Sequence, residues 1–301
     1  MSRFDRIDLS GLPAPQIAER LDFESIFRRN RDTLVQLAPE AAEVLRLESE
    51  PLTKFVQLVS FQEMVLRHRI NEAARGVMLA FARGSDLDHL AALFGVRRLV
   101  ADPGDPEADP PVPATLESDD DLRLRTQIAL EGFSVAGPAG AYVFHARAVS
   151  GAIRDVEAVS PSPGEVDVYV LIRDGDGTPG AELLAQVQTA LSAEEVRPLC
   201  DTVTARAPAI EDYVITASIA TDAGPDPETV RVDALAAVEV MTARYHRLGR
   251  SVPRSAILAA LHRPGVRAVN LVSPAADIAR GSGEAAHCSA IAVTLDQGLV
   301  V

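Results

Sequence analysis

The residues from Glu50 to Arg83, EPLTKFVQLVSFQEMVLRHRINEAARGVMLAFAR, constrain this chain more than any other stretch. Leu52, Val59, Leu66, Ala73 and Ala80 recur every seven positions. Val56, Ile70 and Val77 follow four residues after members of that set, and Glu63 is the one exception. A repeat of this kind draws a narrow apolar seam down one side of a helix. Only Pro51, near the start, resists a helix, and at 1.5 Å per residue the predicted element is on the order of 50 Å long. Phe55, Leu58, Phe61, Met64 and Val65 add apolar surface on further faces, so neighbours on more than one side are expected. The second half carries Arg67, His68, Arg69, Asn71, Glu72 and Arg75, with Arg69–Glu72 and Glu72–Arg75 at helical pairing distance. Such residues form either a solvated face or a polar interface that fixes register against a partner helix. Gly76 costs about 1 kcal/mol relative to alanine and admits a bend. Gly84 then supplies a natural stop.

A helix of this kind needs company, and composition limits what the company can be. The chain has 301 residues, room for two or three domains of ordinary size. Its cores must be aliphatic, because tryptophan is absent and aromatics are only 4%. A formal charge of −14 argues against non-specific binding to nucleic acid or to an anionic membrane, since both would repel it. Cys200 and Cys288 lack the spacing of a metal site or a disulfide framework and read as small buried apolar residues folded in a reducing cytoplasm. The first residues lack the plan of a signal peptide, and no uncharged apolar run approaches the roughly 18 residues that span a bilayer.

Taken in order, residues 1–20, with Pro13 and Pro15, read as an extended arm. Asp22 can cap a helix whose apolar face is Phe23, Ile26, Phe27, Leu34 and Leu37. Pro39 restarts a short helix through Leu45 and Leu47, and after Gly84 a further helix, DLDHLAALF, ends at Gly95. Residues 101–121 hold five prolines and eight acids without one base, which predicts an extended, self-repelling linker. A helix follows from Asp121, then helix 139–150, strands 152–159 and 165–172, helix 180–193 and strand 201–207. Strand 211–220, a helix capped by Asp226 with Pro227 at its first position, helix 253–262, strand 266–272 and a strand near 288–295 complete the chain. An internal echo divides this half. Helix, turn glycine and a strand ending in Val-Ser-Pro occur at Pro138–Pro161 and again at Pro253–Pro274. The fold class expected is therefore α+β. A helical N-terminal part carries the spine, and two related small units follow with mostly antiparallel sheets. The boundaries are arm 1–20, helical domain 21–100, linker 101–121, and α+β domains 122–210 and 211–301.

Chemistry leaves only fragments. Gly132-Phe-Ser134-Val-Ala-Gly137 approaches a nucleophile elbow, but its second glycine is one residue late and a helix precedes it where a strand is required. Asp174-Gly-Asp176-Gly-Thr178 suits a tight turn with Thr178 capping a helix better than a metal site. The histidines (68, 89, 145, 246, 262, 287) show no zinc-binding pair, and adjacent His287 and Cys288 would point to opposite faces of a strand. No catalytic, cofactor-binding or metal-binding residue is assigned, and no cofactor.

Four stretches carry a family resemblance: LESEPL at 47–52, LRHRINEAARGVMLAFARGSDLDHLAALFGV at 66–96, EGFSVAGPAGAYVFHA at 131–146 and GEVDVYVLIRDGDGTP at 164–179. They resemble the baseplate J family, the wedge assembly proteins of contractile phage tails and tail-like bacteriocins, over nearly the whole chain. The resemblance implies a structural part, made in the bacterial cytoplasm and built into the tail baseplate. It implies that the protein joins wedges into a ring around a central hub and takes part in the rearrangement that triggers sheath contraction. Its implied partners are a second copy of itself and other wedge or hub proteins, with no nucleic acid, membrane or small-molecule substrate. The residues expected to carry assembly are Leu52, Val56, Val59, Leu66, Arg67, Arg69, Ile70, Asn71, Glu72, Arg75 and Val77 on the spine. The alternative is a tail-associated hydrolase of cell wall or polysaccharide. The scarcity of aromatic rings on which sugars stack counts against it.

Overall fold

The computed structural model describes residues 7, 9–13, 21–134, 137–222, 224 and 226–296. Of the expected N-terminal arm, Leu9–Gly11 forms a short 3-10 turn, and Pro15 lies outside the described residues. The chain divides into two compact units. One runs to Arg97 and takes in Asp119–Arg123; the other holds Arg98–Ser118 and everything from Leu124 onward. The class is α+β, with a helical N-terminal part and small sheets after it, as expected.

In the first unit, helix α1 (Phe23–Leu37) starts where the Asp22 carboxylate accepts the Glu24 backbone N–H at 3.3 Å. That bond satisfies one of the donors a helix leaves open at its first turn. Ile26 is buried, Phe23 and Phe27 stack with centroids 6.1 Å apart, and Leu37 stands in solvent at the last turn. Two 3-10 turns, Pro39–Ala41 and Val44–Arg46, take the place of the short helix expected after Pro39.

Helix α2 (Pro51–Gly76) is the spine. Its 26 residues give about 39 Å at 1.5 Å per residue, so it is shorter than the stretch that announced it. Pro51 sits at the first helical position, where its missing N–H forfeits no bond. The helix stops at Gly76, where a Cβ would lie 2.8 Å from the Oδ2 tip of the Asp86 side chain on helix α3 (Gly84–Ala92). The following turns offer the carbonyls of Leu79 and Ala82 to the Arg123 guanidinium, at 2.8 and 2.7 Å. Val77 and Ala80 therefore lie beyond the helix.

The second unit begins with strands β1 (Val100–Asp102) and β2 (Thr115–Leu116), paired antiparallel, with Asp105 and Val112 exchanging backbone bonds between them. The acidic, Pro-rich segment is thus a folded-back hairpin instead of the extended chain expected. The reason lies outside it. Glu117, only 5% exposed, forms a two-point pair with Arg125 at 2.7 and 2.6 Å and accepts the Leu99 N–H at 3.1 Å. Arg125 belongs to helix α4 (Asp119–Ile128), so charge counted within the segment misses the base that anchors it.

Two α+β modules follow. The first contains α5 (Ala139–Arg147), β3 (Ile153–Val159), β4 (Glu165–Ile172), α6 (Ala181–Leu191) and β5 (Thr202–Arg206). The second contains β6 (Ala209–Thr221), α7 (Pro227–Tyr245), α8 (Arg254–Leu261), β7 (Val266–Ser273) and β8 (Glu284–Leu295). The sheets run β3-β4-β5 and β7-β6-β8, each with one antiparallel and one parallel neighbour beside its central strand. Counting β1–β2, three of the five described pairings are antiparallel. The echoed segments occupy matching places: α5 leads to β3 and α8 to β7, each the antiparallel edge strand of its sheet. Asp226 caps α7 through the Thr229 N–H at 3.0 Å. Helix α6 begins at Ala181 after Gly180, later than the Thr178 cap expected, because Asp176 Oδ1 engages the Thr178 N–H at 2.9 Å in a local turn. Cys200 is exposed and Cys288 half-buried, so neither is the buried apolar residue expected.

Each module has its own aliphatic core, and a small third cluster of Leu171, Leu248 and Ala285, flanked by Tyr169 and Ile210, joins them. Polar bonds surround it. The buried Asp155 carboxylate pairs with Arg147 at 3.0 Å and accepts the Leu248 N–H at 3.2 Å. Glu157 accepts the Gly283 N–H at 2.9 Å, and a Cβ on Gly283 would lie 2.6 Å from the Tyr169 ring.

Removing one partner of a buried ion pair strands the other charge. Glu117→Ala should therefore lower stability against chemical denaturation by about 3–5 kcal/mol. Truncating the exposed neighbour Glu107 should change it by less than about 0.5 kcal/mol.

Candidate assembly interface

Helix α2 packs along one stripe only. Thr53, Val56, Ser60 and Asn71 are its buried residues. At about 100° per residue they fall within an arc of roughly 60°. The stripe is joined to α1 largely through polar groups. Ser60 Oγ donates to the Val56 carbonyl at 2.7 Å and accepts from Asn30 Nδ2 at 3.1 Å. Glu63, the exception in the apolar repeat, is gripped by Arg29 of α1 and by Arg67 one turn further along α2, at 2.8 Å. The hydrogen bonds from Arg29 hold its carboxyl below the ordinary glutamate value of 4.5; partial burial opposes this and Asn30 adds to it.

The seven-residue seam lies about a quarter-turn away from that stripe, by the same 100° step. Leu52, Phe55, Val59, Leu66 and Ile70 share an arc of roughly 60°, and all five are exposed, Phe55, Leu66 and Ile70 at 61%, 59% and 60%. Leu58, Phe61 and Val65 continue the exposed apolar surface round the helix. Of the residues expected to carry assembly, Val56, 6% exposed, and Asn71 turn inward and are already covered. Arg67 is engaged with Glu63, Arg75 pairs with Glu72 at 3.0 Å, and Arg69 is exposed. Val77 is exposed but follows the helix end. The structure brings Leu52, Val59, Leu66 and Ile70 together and adds Phe55, which the strict repeat leaves out. The arginine from α1 had no local signal except the misplaced acid at position 63.

Nothing comparable to this surface arises from the candidate chemical residues. Among the described residues no group of three His, Cys, Asp or Glu side chains is arranged to hold a metal. Gly132 and Phe133 lie in a 3-10 turn that follows α4, and residues 135–136 of the elbow-like motif lie outside the described residues. No helix among the described residues is long and apolar enough to cross a membrane.

A helical unit with an exposed apolar face, carried on a chain with two α+β modules of matching strand arrangement, has the form of a structural part and not of a catalytic site. Sequence comparison narrows the class. Residues 48–105 match the Baseplate J-like N-terminal domain, residues 134–207 the Baseplate J-like central domain and residues 213–294 the Baseplate J-like protein C-terminal domain. Baseplate protein J of Escherichia phage P2 is 46% identical over 288 residues, which cover 94% of this chain and 95% of that protein. Among solved structures, the baseplate of the anti-feeding prophage aligns with 59% of this chain and 44% of that chain, at 17% identity and a TM-score of 0.41. The chain belongs to the baseplate J-like family of structural phage tail baseplate proteins.

Glu63 fastens the helix pair without forming part of the exposed seam, so its loss should cost stability and leave the seam's chemistry intact. Glu63→Gln should lower thermal stability by about 1 kcal/mol at neutral pH. Because its carboxyl is depressed in the fold, that contribution is complete above about 4.5 and disappears as the pH falls through the lower folded value. The melting temperatures of wild type and variant should therefore converge in acid.

Proposed function

We propose that this protein is a wedge component of a contractile tail baseplate, in a phage or a tail-like particle. In this reading it joins wedges into a ring around the central hub and takes part in the rearrangement that triggers sheath contraction. The similarity to baseplate protein J of phage P2 over nearly the whole of both chains supports the setting. The single observation that carries the mechanism is the exposed line of Leu52, Phe55, Val59, Leu66 and Ile70. Fully burying one such side chain contributes about 1.5–3 kcal/mol, so five on one face supply ample driving force for a helical partner. The proposed partners are a second copy of this chain and other wedge or hub proteins made in the same host cytoplasm. The helical residues 21–100 act as the wedge-internal bundle, and the modules at 122–210 and 211–301 make the ring contacts. Arg69, beside the seam on the helix, sets its register against the partner, while Glu72 and Arg75 lie farther round and offer a polar face to a second neighbour. The hydrolase alternative gains nothing from the site geometry.

Co-expression with the neighbouring tail gene products tests this. Val59→Asp and Leu66→Asp place a charge on the exposed seam and should abolish co-purification, while the second unit keeps its protease resistance and circular dichroism. A complex that survives both substitutions would show that α2 is not the assembly surface.

A further inference from the structure

The joint between the two α+β modules brings two imidazoles together. His246, the residue that closes α7, is 8% exposed. Its Nε2 lies 3.1 Å from the carbonyl oxygen of Asp176, so that nitrogen carries a proton and donates it. The ring packs on Gly177, where an added Cβ would stand 3.0 Å from Nε2, and its centroid is 5.4 Å from that of His287. Arg154 Nε donates to the His246 carbonyl at 2.8 Å, and the same guanidinium reaches the Ala243 carbonyl. Asp176, Gly177 and Arg154 belong to the first module; His246 and His287 belong to the second. The imidazole is thus clasped between the modules.

The charges around it come from four elements. Strand β3 contributes Arg154, and its neighbour Asp155, which is committed to Arg147 and the Leu248 N–H. The β4–α6 loop contributes the Asp176 carboxylate, already accepting the Thr178 N–H. Strand β8 contributes His287, which is bonded at 2.7 Å to Asp212 of β6. Burial first, then Arg154 and His287, push the His246 imidazole below the ordinary 6.5, and the backbone bond and charge of Asp176 offset this only in part.

We infer that the joint is a proton-sensitive latch, held shut while His246 is neutral and loosened in acid as the two modules part to let it take up a proton. The closed form keeps His246 neutral, so opening binds a proton. The latch has its full strength above about pH 6.5 and weakens as the pH falls below that, toward the lowered closed-state value. Between pH 7.5 and 5.5 one such group raises the ratio of open to closed molecules by at most about tenfold. This inference stands apart from the role proposed for α2, because it concerns only contacts within the second unit.

Hydrogen exchange of the full chain, corrected for the intrinsic pH dependence of exchange, reads the latch through the Leu248 and Gly283 amides that cross the joint. Their protection should fall several-fold, up to about tenfold, from pH 7.5 to 5.5, while amides in the centre of β4 stay protected. His246→Gln keeps a donor for the Asp176 carbonyl but cannot titrate, so it should flatten that dependence. Unchanged protection in the wild type, or the same fall in the variant, would overturn the inference. Nitrogen NMR of the wild-type protein needs no substitution: the ring in contact with Gly177 should remain neutral as the pH falls below 6.5. Ordinary titration of that ring near 6.5 would equally overturn the latch.

Discussion

A long helix with one shorter neighbour can bury only one stripe of its surface. In the first unit the buried stripe of α2 (Thr53, Val56, Ser60 and Asn71) is mostly small and polar; Ser60 meets Asn30 of α1 and Thr53 lies against the Val44 carbonyl of the preceding turn. The larger apolar residues lie to the side and meet water. This allocation inverts the usual arrangement, in which the oiliest face of a helix turns to its own core. Inside the unit the helix pair depends on directional bonds through Asn30, Arg29, Ser60 and Glu63, which set one geometry without consuming apolar area. The hydrophobic surface is left exposed, and in the assembly proposed its removal from water would drive binding.

The second unit solves a different problem. Two small sheets, each with an aliphatic core and no tryptophan, are too modest to hold a fixed mutual orientation by apolar contact alone. The shared cluster of Leu171, Leu248 and Ala285 is correspondingly small. Orientation comes from charged groups that reach backbone atoms of the opposite module: Arg154 to the end of α7, Asp155 to Leu248, Glu157 to Gly283. Such bonds need a defined angle and distance, so they specify one docking pose where a greasy patch would tolerate several.

Much of this was legible in the sequence. The order of elements after Asp121, the cap at Asp226 and the echo of helix, glycine and strand follow from short-range patterns, and the structure reproduces them. The seven-residue period was legible too, because eight residues from Leu52 to Ala80 carry it, although Val56 turns inward and Val77 and Ala80 follow the helix end. What could not be read was every feature decided by a residue distant in the chain. Asp86 lies against Gly76 at the end of the helix. The acidic hairpin folds because Arg125 answers Glu117, and Val56 and Asn71 fall on the buried stripe of α2. The histidines looked scattered along the sequence, and only the fold sets His246 beside His287. Local pattern specifies elements and tertiary partners specify which face is free, so the sequence could name the helix of the candidate surface more reliably than its individual members.

The second sheet carries a consequence for how the molecule comes into being. Its central strand β6, of 13 residues, runs alongside β8 over most of its length, yet the paired residues Asp212 and His287 are 75 positions apart. Closing so long an interval before any bond rewards it makes for slow nucleation. Until β8 arrives, one border of β6 offers a row of open amides and carbonyls to any passing strand. A nascent population would thus have a sticky interval, and crowding many copies together too early would favour tangling over orderly construction.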